Sequence, residues 1–316
     1  MNQKRRILSI DGGGIRGIYP AAILASIEKE IGQPIYKYFD LIAGTSTGGI
    51  IALGLSLGFE SEKIVHFYEH YGPKIFGGFR PKKWLRHFLR HKYDPKPLED
   101  ALKETFGELL IDDCKTRILV PSMNIETGKV YIYKTCHSPE FDRDYHRPIY
   151  EAALATSAAV TFFPNYINST QDILTNGGLW ANNPTLFSLV DALGILGWDK
   201  GDISVLSLGC IDKPFDKDFH KRRGIVGFIR SRPVEVFMGM QSVSAMSASY
   251  TLIGHDNILR INDYGFFGLD SIKEISVMKE MGERKALEKM QEMKSMFFKN
   301  FVDNPFEPFN RPRKPH

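Results

Sequence analysis

A glycine-rich turn around Ser46 could make this serine a nucleophile. Residues 44–48 read Gly-Thr-Ser-Thr-Gly, the pattern G-x-S-x-G, between an apolar run at 39–43 and an apolar stretch at 49–57. When this pattern joins a buried strand to a helix, the sharp turn lifts the serine hydroxyl above the sheet, and the helix N-terminus favours negative charge there. The spacing therefore indicates covalent acyl transfer at Ser46, with a simple helix-capping serine as the alternative.

A second glycine cluster lies near the N-terminus, where residues 11–17 read Asp-Gly-Gly-Gly-Ile-Arg-Gly. Successive glycines let backbone N–H groups converge, so Gly12, Gly13 and Gly14 could bind an anion or a transient oxyanion. The same residues fit the dinucleotide pattern G-x-G-x-x-G. That fingerprint needs an acid at the end of the next strand, however, and Asp40 stands at the beginning of its strand. A tight turn without a ligand is the third interpretation.

Both turns need a scaffold that brings strand ends together, and the hydrophobic pattern predicts one. Apolar runs alternate with stretches of helical periodicity, which is typical of an α/β sandwich around a largely parallel sheet. The predicted strands cover 6–10, 39–43, 117–123, 129–134, 172–174 and 203–208, and the predicted helices cover 18–31, 49–57, 149–159 and 184–197. Residues 61–110 are mostly helical in pattern and predict a cap-like insertion. We expect one domain over 1–302 and a flexible tail, rich in proline and arginine, over 303–316.

The composition excludes several classes of protein. The chain has 316 residues, of which 43% are hydrophobic and 25% charged, so a disordered or collagen-like chain is excluded. Its apolar stretches are shorter than the roughly 18–20 residues of a membrane span, and the apolar run at 7–10 is too short for a signal peptide. Three separated cysteines fit neither a disulfide framework nor a zinc site. We therefore expect a cytoplasmic protein that needs no metal or other cofactor.

The positive charge is concentrated in one segment. The net charge is +4, yet residues 80–92 alone carry six basic side chains and no acid. This indicates one basic surface rather than general affinity for a nucleic acid polymer. At helical spacing, aromatic side chains would lie opposite basic ones, as in helices that bind anionic membranes. The segment predicts membrane contact through Trp84, Arg86, Phe88 and Arg90, with a cap helix packed on the core as the alternative.

Three motifs, in this order, closely resemble those of the patatin-like phospholipases. The first two are the glycine clusters described above, and the third is Asn-Gly-Gly-Leu-Trp-Ala-Asn-Asn-Pro at 176–184. The resemblance extends over about residues 5–285 and implies a three-layer α/β fold. It also implies that Ser46 is the nucleophile and that Arg16 holds the glycine loop, whose oxyanion hole is formed by Gly12, Gly13 and Gly14.

The third motif departs from the family pattern at Asn176. The family's base is the aspartate of D-G-[GA], which works with the serine as a dyad, but this chain has an asparagine there. An amide cannot take up the serine proton near neutral pH. Three explanations stay open: an engineered Asp→Asn substitution, a natural protein that binds lipid without cutting it, or replacement of the base by another acid such as Asp172.

Two functions are consistent with these residues. The first is phospholipase A-type hydrolysis of glycerophospholipid esters, impaired by Asn176. The second is a lipid-binding or cyclic-nucleotide-gated effector of anti-phage defence without turnover, since the chain resembles bacterial patatin-like proteins with that role. Either function implies contact with the inner surface of the membrane. A stripe of methionines over 278–296 is typical of adaptable core or of contact between copies, so a homo-oligomer stays open.

Overall fold

A mixed sheet forms the centre of the structure. The computed structural model describes residues 4–77, 91–214, 233–303 and 305–309. Within these ranges the strands are β1 Arg5–Ile10, β2 Leu41–Gly44, β3 Arg117–Asn124, β4 Lys129–Lys134, β5 Tyr166–Ile167, β6 Ile173–Asn176, β7 Ile203–Leu208 and β8 Ile258–Ile261. Their order is β5-β6-β3-β2-β1-β7-β8, and β4 pairs with β3 outside this path. Because β3, β2, β1, β7 and β8 run parallel, the predicted largely parallel sheet is confirmed.

Strands β2 and β6 lie along the same edge of β3, and the carboxyl end of each faces that of the other. Leu119 of β3 pairs with both β2 and β4, so these two strands lie on opposite edges of β3. Ser122 pairs with β4 and also with Asn176 of β6, which puts β6 on the same edge as β2. Since β2 runs parallel to β3 and β6 runs antiparallel, the two strands end on either side of a gap opposite residues 120–121.

Helices cover both faces of the sheet. They are α1 Ile18–Ile31, α2 Thr47–Ser56, α3 Ser61–Phe76, α4 Lys96–Phe106, α5 Ile149–Ser157, α6 Gly178–Ala181, α7 Thr185–Gly194, α8 Pro233–Ile253 and α9 Ile275–Phe297. Alternate side chains of each strand enter two separate cores. Leu8 and Ile10 of β1 pack in the core that contains α1 to α5 and α9. Ile7 packs in the core that contains α7 and α8, which completes three layers.

Helices α3 and α4 lie in the segment for which a cap-like insertion is predicted. Its central residues, 78–90, lie outside the described part of the chain, and with them the predicted membrane-contact residues Trp84, Arg86, Phe88 and Arg90. Among the helices that the structure describes, none combines the length and the apolar character that crossing a bilayer requires. The methionines at 278 and 293 are fully buried in the core, as adaptable core residues would be.

Candidate active site

Ser46 lies in a strained turn between β2 and α2. Its backbone has φ 55° and ψ −122°, a conformation that costs a non-glycine residue roughly 1–3 kcal/mol. Two glycines make the turn possible: a Cβ on Gly44 would collide with the carbonyl of Gly48, and a Cβ on Gly48 would collide with the carbonyl of Ile10. The G-x-S-x-G pattern therefore folds as the predicted elbow, with Ser46 preceding the first turn of α2.

Helix α5 fixes the elbow from the other side. The Ser46 N–H donates to Thr156 Oγ1 at 2.9 Å, and the Thr156 hydroxyl donates to the Pro121 carbonyl at 2.6 Å. These bonds connect the elbow to the part of β3 that faces the gap between β2 and β6. The Ser46 side chain is thereby held at the wall of a pocket.

Asn176, the last residue of β6, contacts the Ser46 hydroxyl across this gap. Its Nδ2 donates to Ser46 Oγ at 3.0 Å, and its Oδ1 accepts the Gly178 N–H at 2.6 Å. Only the amide oxygen can accept from a backbone N–H, so the bond to Gly178 fixes which end of the amide faces Ser46. The serine oxygen thus meets a donor where a dyad needs an acceptor.

Two residues of the glycine loop line the same pocket. Gly12 N–H donates to the Asn182 carbonyl at 2.9 Å, so this amide is already used within the protein. Gly13 and Gly14 line the pocket, and within the described residues their amides donate to no other atom. Arg16 is buried and donates through Nε to the Gly13 carbonyl at 3.2 Å, behind the loop. Its Nη1 also donates to the Ile211 carbonyl at 2.9 Å.

Sequence reasoning missed an ion pair between the buried Asp11, next to the glycine loop, and the partly buried Arg260. Arg260 of β8 donates from Nη1 and Nη2 to the two carboxylate oxygens of Asp11, at 2.9 and 2.6 Å. The Ser242 hydroxyl donates to the same carboxylate at 3.1 Å. Although burial by itself lowers the pKa of Arg260, the charge of Asp11 outweighs it, so the pKa lies above its ordinary value. The one sequence signal was an arginine inside the apolar run at 258–261.

An apolar pocket of about 850 Å³, including its part open to solvent, adjoins Ser46. Helix α3 supplies Phe67, Ile75 and Phe76 to its wall, and α4 supplies Leu98. Tyr68 also lines it, but the Tyr68 hydroxyl donates to the Thr47 carbonyl at 3.0 Å, and burial raises its pKa. Tyr68 is therefore neutral and cannot act as a base for Ser46. A pocket with such walls suits a hydrocarbon chain.

The other acid considered from the sequence, Asp172, does not reach the site. Its carboxylate accepts hydrogen bonds from Asn124 at 3.0 Å, Asn168 at 3.1 Å and Thr170 at 2.8 Å, before the start of β6. Asp172 lies four positions before Asn176, a span of about 13 Å in extended chain. Asp172 therefore does not replace the base. The described residues also contain no cluster of side chains that could hold a metal ion.

Comparison with known proteins identifies the family. A family model described as patatin-like phospholipase matches residues 8–188, more than half of the chain. A cGAMP-activated phospholipase of Pseudomonas aeruginosa is 37% identical over 69% of this chain and 68% of its own. Proteins of the same name from Vibrio cholerae and Escherichia coli are 35% and 28% identical, over 71% and 97% of this chain and 69% and 95% of theirs. The chain belongs to the patatin-like phospholipase family.

Proposed function

We propose that this chain has the machinery of a lipid acyl hydrolase of phospholipase A type, with Ser46 as the nucleophile. The observation that carries the proposal is the 3.0 Å contact between Ser46 Oγ and the side chain at position 176. Both residues line the pocket that Gly13 and Gly14 also line, and in the described part of the chain the amides of these glycines donate to no other group. Nucleophile, base position and oxyanion donors therefore face one space beside an apolar wall, as ester hydrolysis requires.

In the reaction, Ser46 Oγ would attack the carbonyl carbon of the ester. A C–O bond forms while the carbonyl electrons move onto its oxygen, which the amides of Gly13 and Gly14 stabilise. The intermediate collapses to an acyl-serine and the alcohol, which takes the proton that came from Ser46. Water then attacks the acyl-serine and releases a free fatty acid. An aspartate at position 176 would carry the proton in both steps.

Asn176 cannot carry this proton, and it therefore favours a second candidate function. The amide donates to Ser46 Oγ, and among the described residues no acid or histidine bonds to that oxygen. The protein would then bind a lipid ester in the pocket and hydrolyse it very slowly. The second candidate is accordingly a lipid-binding protein without significant turnover.

The two candidates differ in one measurement. Release of fatty acid from phospholipid vesicles and from short-chain esters is compared between the parent chain and Asn176→Asp. The proposed hydrolase requires activity in the Asn176→Asp variant and its loss in Asn176→Asp/Ser46→Ala. If the Asn176→Asp protein folds correctly but hydrolyses neither substrate, only the second candidate, a lipid-binding protein, remains.

We further propose that the basic segment at 80–92 contacts the membrane from the cytoplasmic side. Six basic residues and no acid lie in this segment, which favours anionic lipid. Replacing Arg86 and Arg90 with glutamate is expected to weaken binding to vesicles that contain anionic lipid. Binding is measured by vesicle co-sedimentation, with neutral vesicles as the control. Equal binding by the parent and the double variant would instead support a cap helix.

Activation by a cyclic dinucleotide, as in anti-phage defence, is the third element of the proposal. Its support is that relatives bear the names cGAMP-activated and cUMP-AMP-activated phospholipase. A ligand at about 100 times its Kd adds about 2.7 kcal/mol to folding stability. We expect cGAMP or cUMP-AMP to raise the melting temperature by several degrees, while the matched linear dinucleotides and NAD do not. If neither cyclic dinucleotide changes the melting temperature, the proposed activation by a cyclic dinucleotide is wrong.

A further inference from the structure

Ser157 lies at the wall of the pocket, and its hydroxyl oxygen is buried. It is the last residue of α5, it is 7% exposed, and it lines the same pocket as Ser46. Its Oγ has no hydrogen-bond partner in the part of the chain that the structure describes. Buried hydroxyl groups in proteins are nearly always paired, so an unpaired one at the wall of a pocket is available to a bound ligand.

The neighbours of Ser157 attach it to both members of the catalytic pair. Thr156 accepts the Ser46 N–H at 2.9 Å, and the carbonyl of Ala158 accepts the Asn176 N–H at 3.0 Å. Ser157 stands between these two residues in the chain. The backbone around Ser157 is therefore fixed relative to both Ser46 and Asn176, although its own hydroxyl bonds to neither in the described residues.

The remaining polar side chains of the pocket are already engaged. Ser46 bonds to Asn176, and Thr47 Oγ1 lies 2.5 Å from the Tyr68 hydroxyl. Apart from the backbone of Gly13 and Gly14, the rest of the wall formed by the described residues is apolar and suits the hydrocarbon part of a lipid. The polar atom that pairs with Ser157 must therefore belong to the ester group or to the alcohol attached to it.

An ester in this pocket presents two oxygens, and one has a partner in the proposed function. The carbonyl oxygen would face the amides of Gly13 and Gly14, which leaves the oxygen of the departing alcohol. We propose that the Ser157 hydroxyl donates a hydrogen bond to this alcohol oxygen as negative charge develops on it. The inference rests on the proposed function, and it makes Ser157 a catalytic residue that acts on the leaving group.

The test compares two esters with the same acyl chain and different leaving groups. In the Asn176→Asp background, ethyl octanoate has a poor leaving group, on whose oxygen much negative charge develops before it takes the proton. The p-nitrophenyl ester leaves as a stabilised phenolate and needs little assistance. Ser157→Ala is expected to lower kcat for the ethyl ester about tenfold or more, because a hydrogen bond to a charged group is lost. It is expected to change kcat for the p-nitrophenyl ester less than about twofold. Ser157→Thr keeps the hydroxyl and should restore turnover of the ethyl ester.

Stability and the leaving-group dependence distinguish this role from a structural one. Ser157→Ala removes an unpaired buried hydroxyl, so its melting temperature should stay the same or rise. An equal fall in kcat for both esters, or no fall for either, would overturn the role of Ser157 and leave the proposed function intact. If Asn176→Asp hydrolyses neither ester, the proposed function fails and the role of Ser157 fails with it.

Discussion

Asn176→Asp is expected to raise ester turnover by about 10⁴-fold, the factor by which losing the acid impairs serine hydrolases. One carboxylate oxygen would keep the bond to the Gly178 N–H, which Oδ1 of Asn176 accepts at 2.6 Å. The other would occupy the position of Nδ2, 3.0 Å from Ser46 Oγ, and accept the serine proton. Steady-state release of fatty acid from short-chain esters and phospholipid vesicles measures the gain.

A charge-matched control separates the base from a general effect of added negative charge. Asn183 lies seven positions along the chain, and its Oδ1 accepts the Thr185 N–H at 2.9 Å, a bond that an aspartate can keep. Asn183→Asp is expected to leave turnover at the parent level because Asn183 does not contact Ser46. Similar gains from Asn183→Asp and Asn176→Asp would contradict the assignment of position 176.

Arg260→Met is expected to destabilise the protein by about 3–5 kcal/mol, since it leaves a buried charge without its partner. Asp11 is 1% exposed, and it precedes the glycine loop directly. Met fills a similar volume, so the loss would come from the charge rather than from a cavity. Denaturant unfolding monitored by circular dichroism at pH 8 gives the change in the free energy of unfolding.

The stability lost by Arg260→Met should become smaller as the pH is lowered. Burial raises the pKa of Asp11 above its ordinary value even beside Arg260, and removing the arginine raises it further. In the variant, the folded state binds this proton more tightly than the unfolded state. Its relative stability therefore improves as pH falls through the raised pKa and worsens as pH rises. The difference from the parent should be smaller at pH 5 than at pH 8.

Removing the charge tests the cause directly. Asp11→Asn in the Arg260→Met background eliminates the unpaired carboxylate and should recover much of the lost stability. An Arg260→Met protein that loses less than about 1 kcal/mol, equally at both pH values, would mean that the pair contributes little.

The local parts of the site could be predicted from the sequence. The turn at Ser46 depends on residues within two positions of the serine, and the glycine loop depends on seven consecutive residues. At Ser46 part of the geometry reflects a local collision, the one between Gly44 and Gly48. In the glycine loop the sequence shows the glycines, but the atoms that leave no room for a Cβ belong to the distant residues Asn182, Cys210 and Leu269. Position 176 was identified as the base position only because the motif at 176–184 resembles that of the patatin-like family.

The relations between distant segments could not be predicted in this way. The strand near 172–174 was expected, but neither its antiparallel direction nor its place on the edge of β3 could be read from it, because strand pairing is set by tertiary packing. Arg260 lies 249 residues from Asp11, and no spacing rule connects them. The position of the Ser157 hydroxyl beside the pocket depends on where α5 ends relative to β6. These nonlocal contacts determine what the motifs can do.

The gap between β2 and β6 explains a proline in the middle of the sheet. Pro121 lies opposite the gap, and its carbonyl accepts the Thr156 hydroxyl rather than a strand amide. Proline has no N–H to offer, so at this position neither neighbouring strand could add another ladder bond. If β2 or β6 became longer, or shifted its register, it would therefore form no additional hydrogen bond with the N–H position of residue 121. The imino acid acts as a spacer that keeps the two chain ends, and the side chains they carry, one hydrogen bond apart.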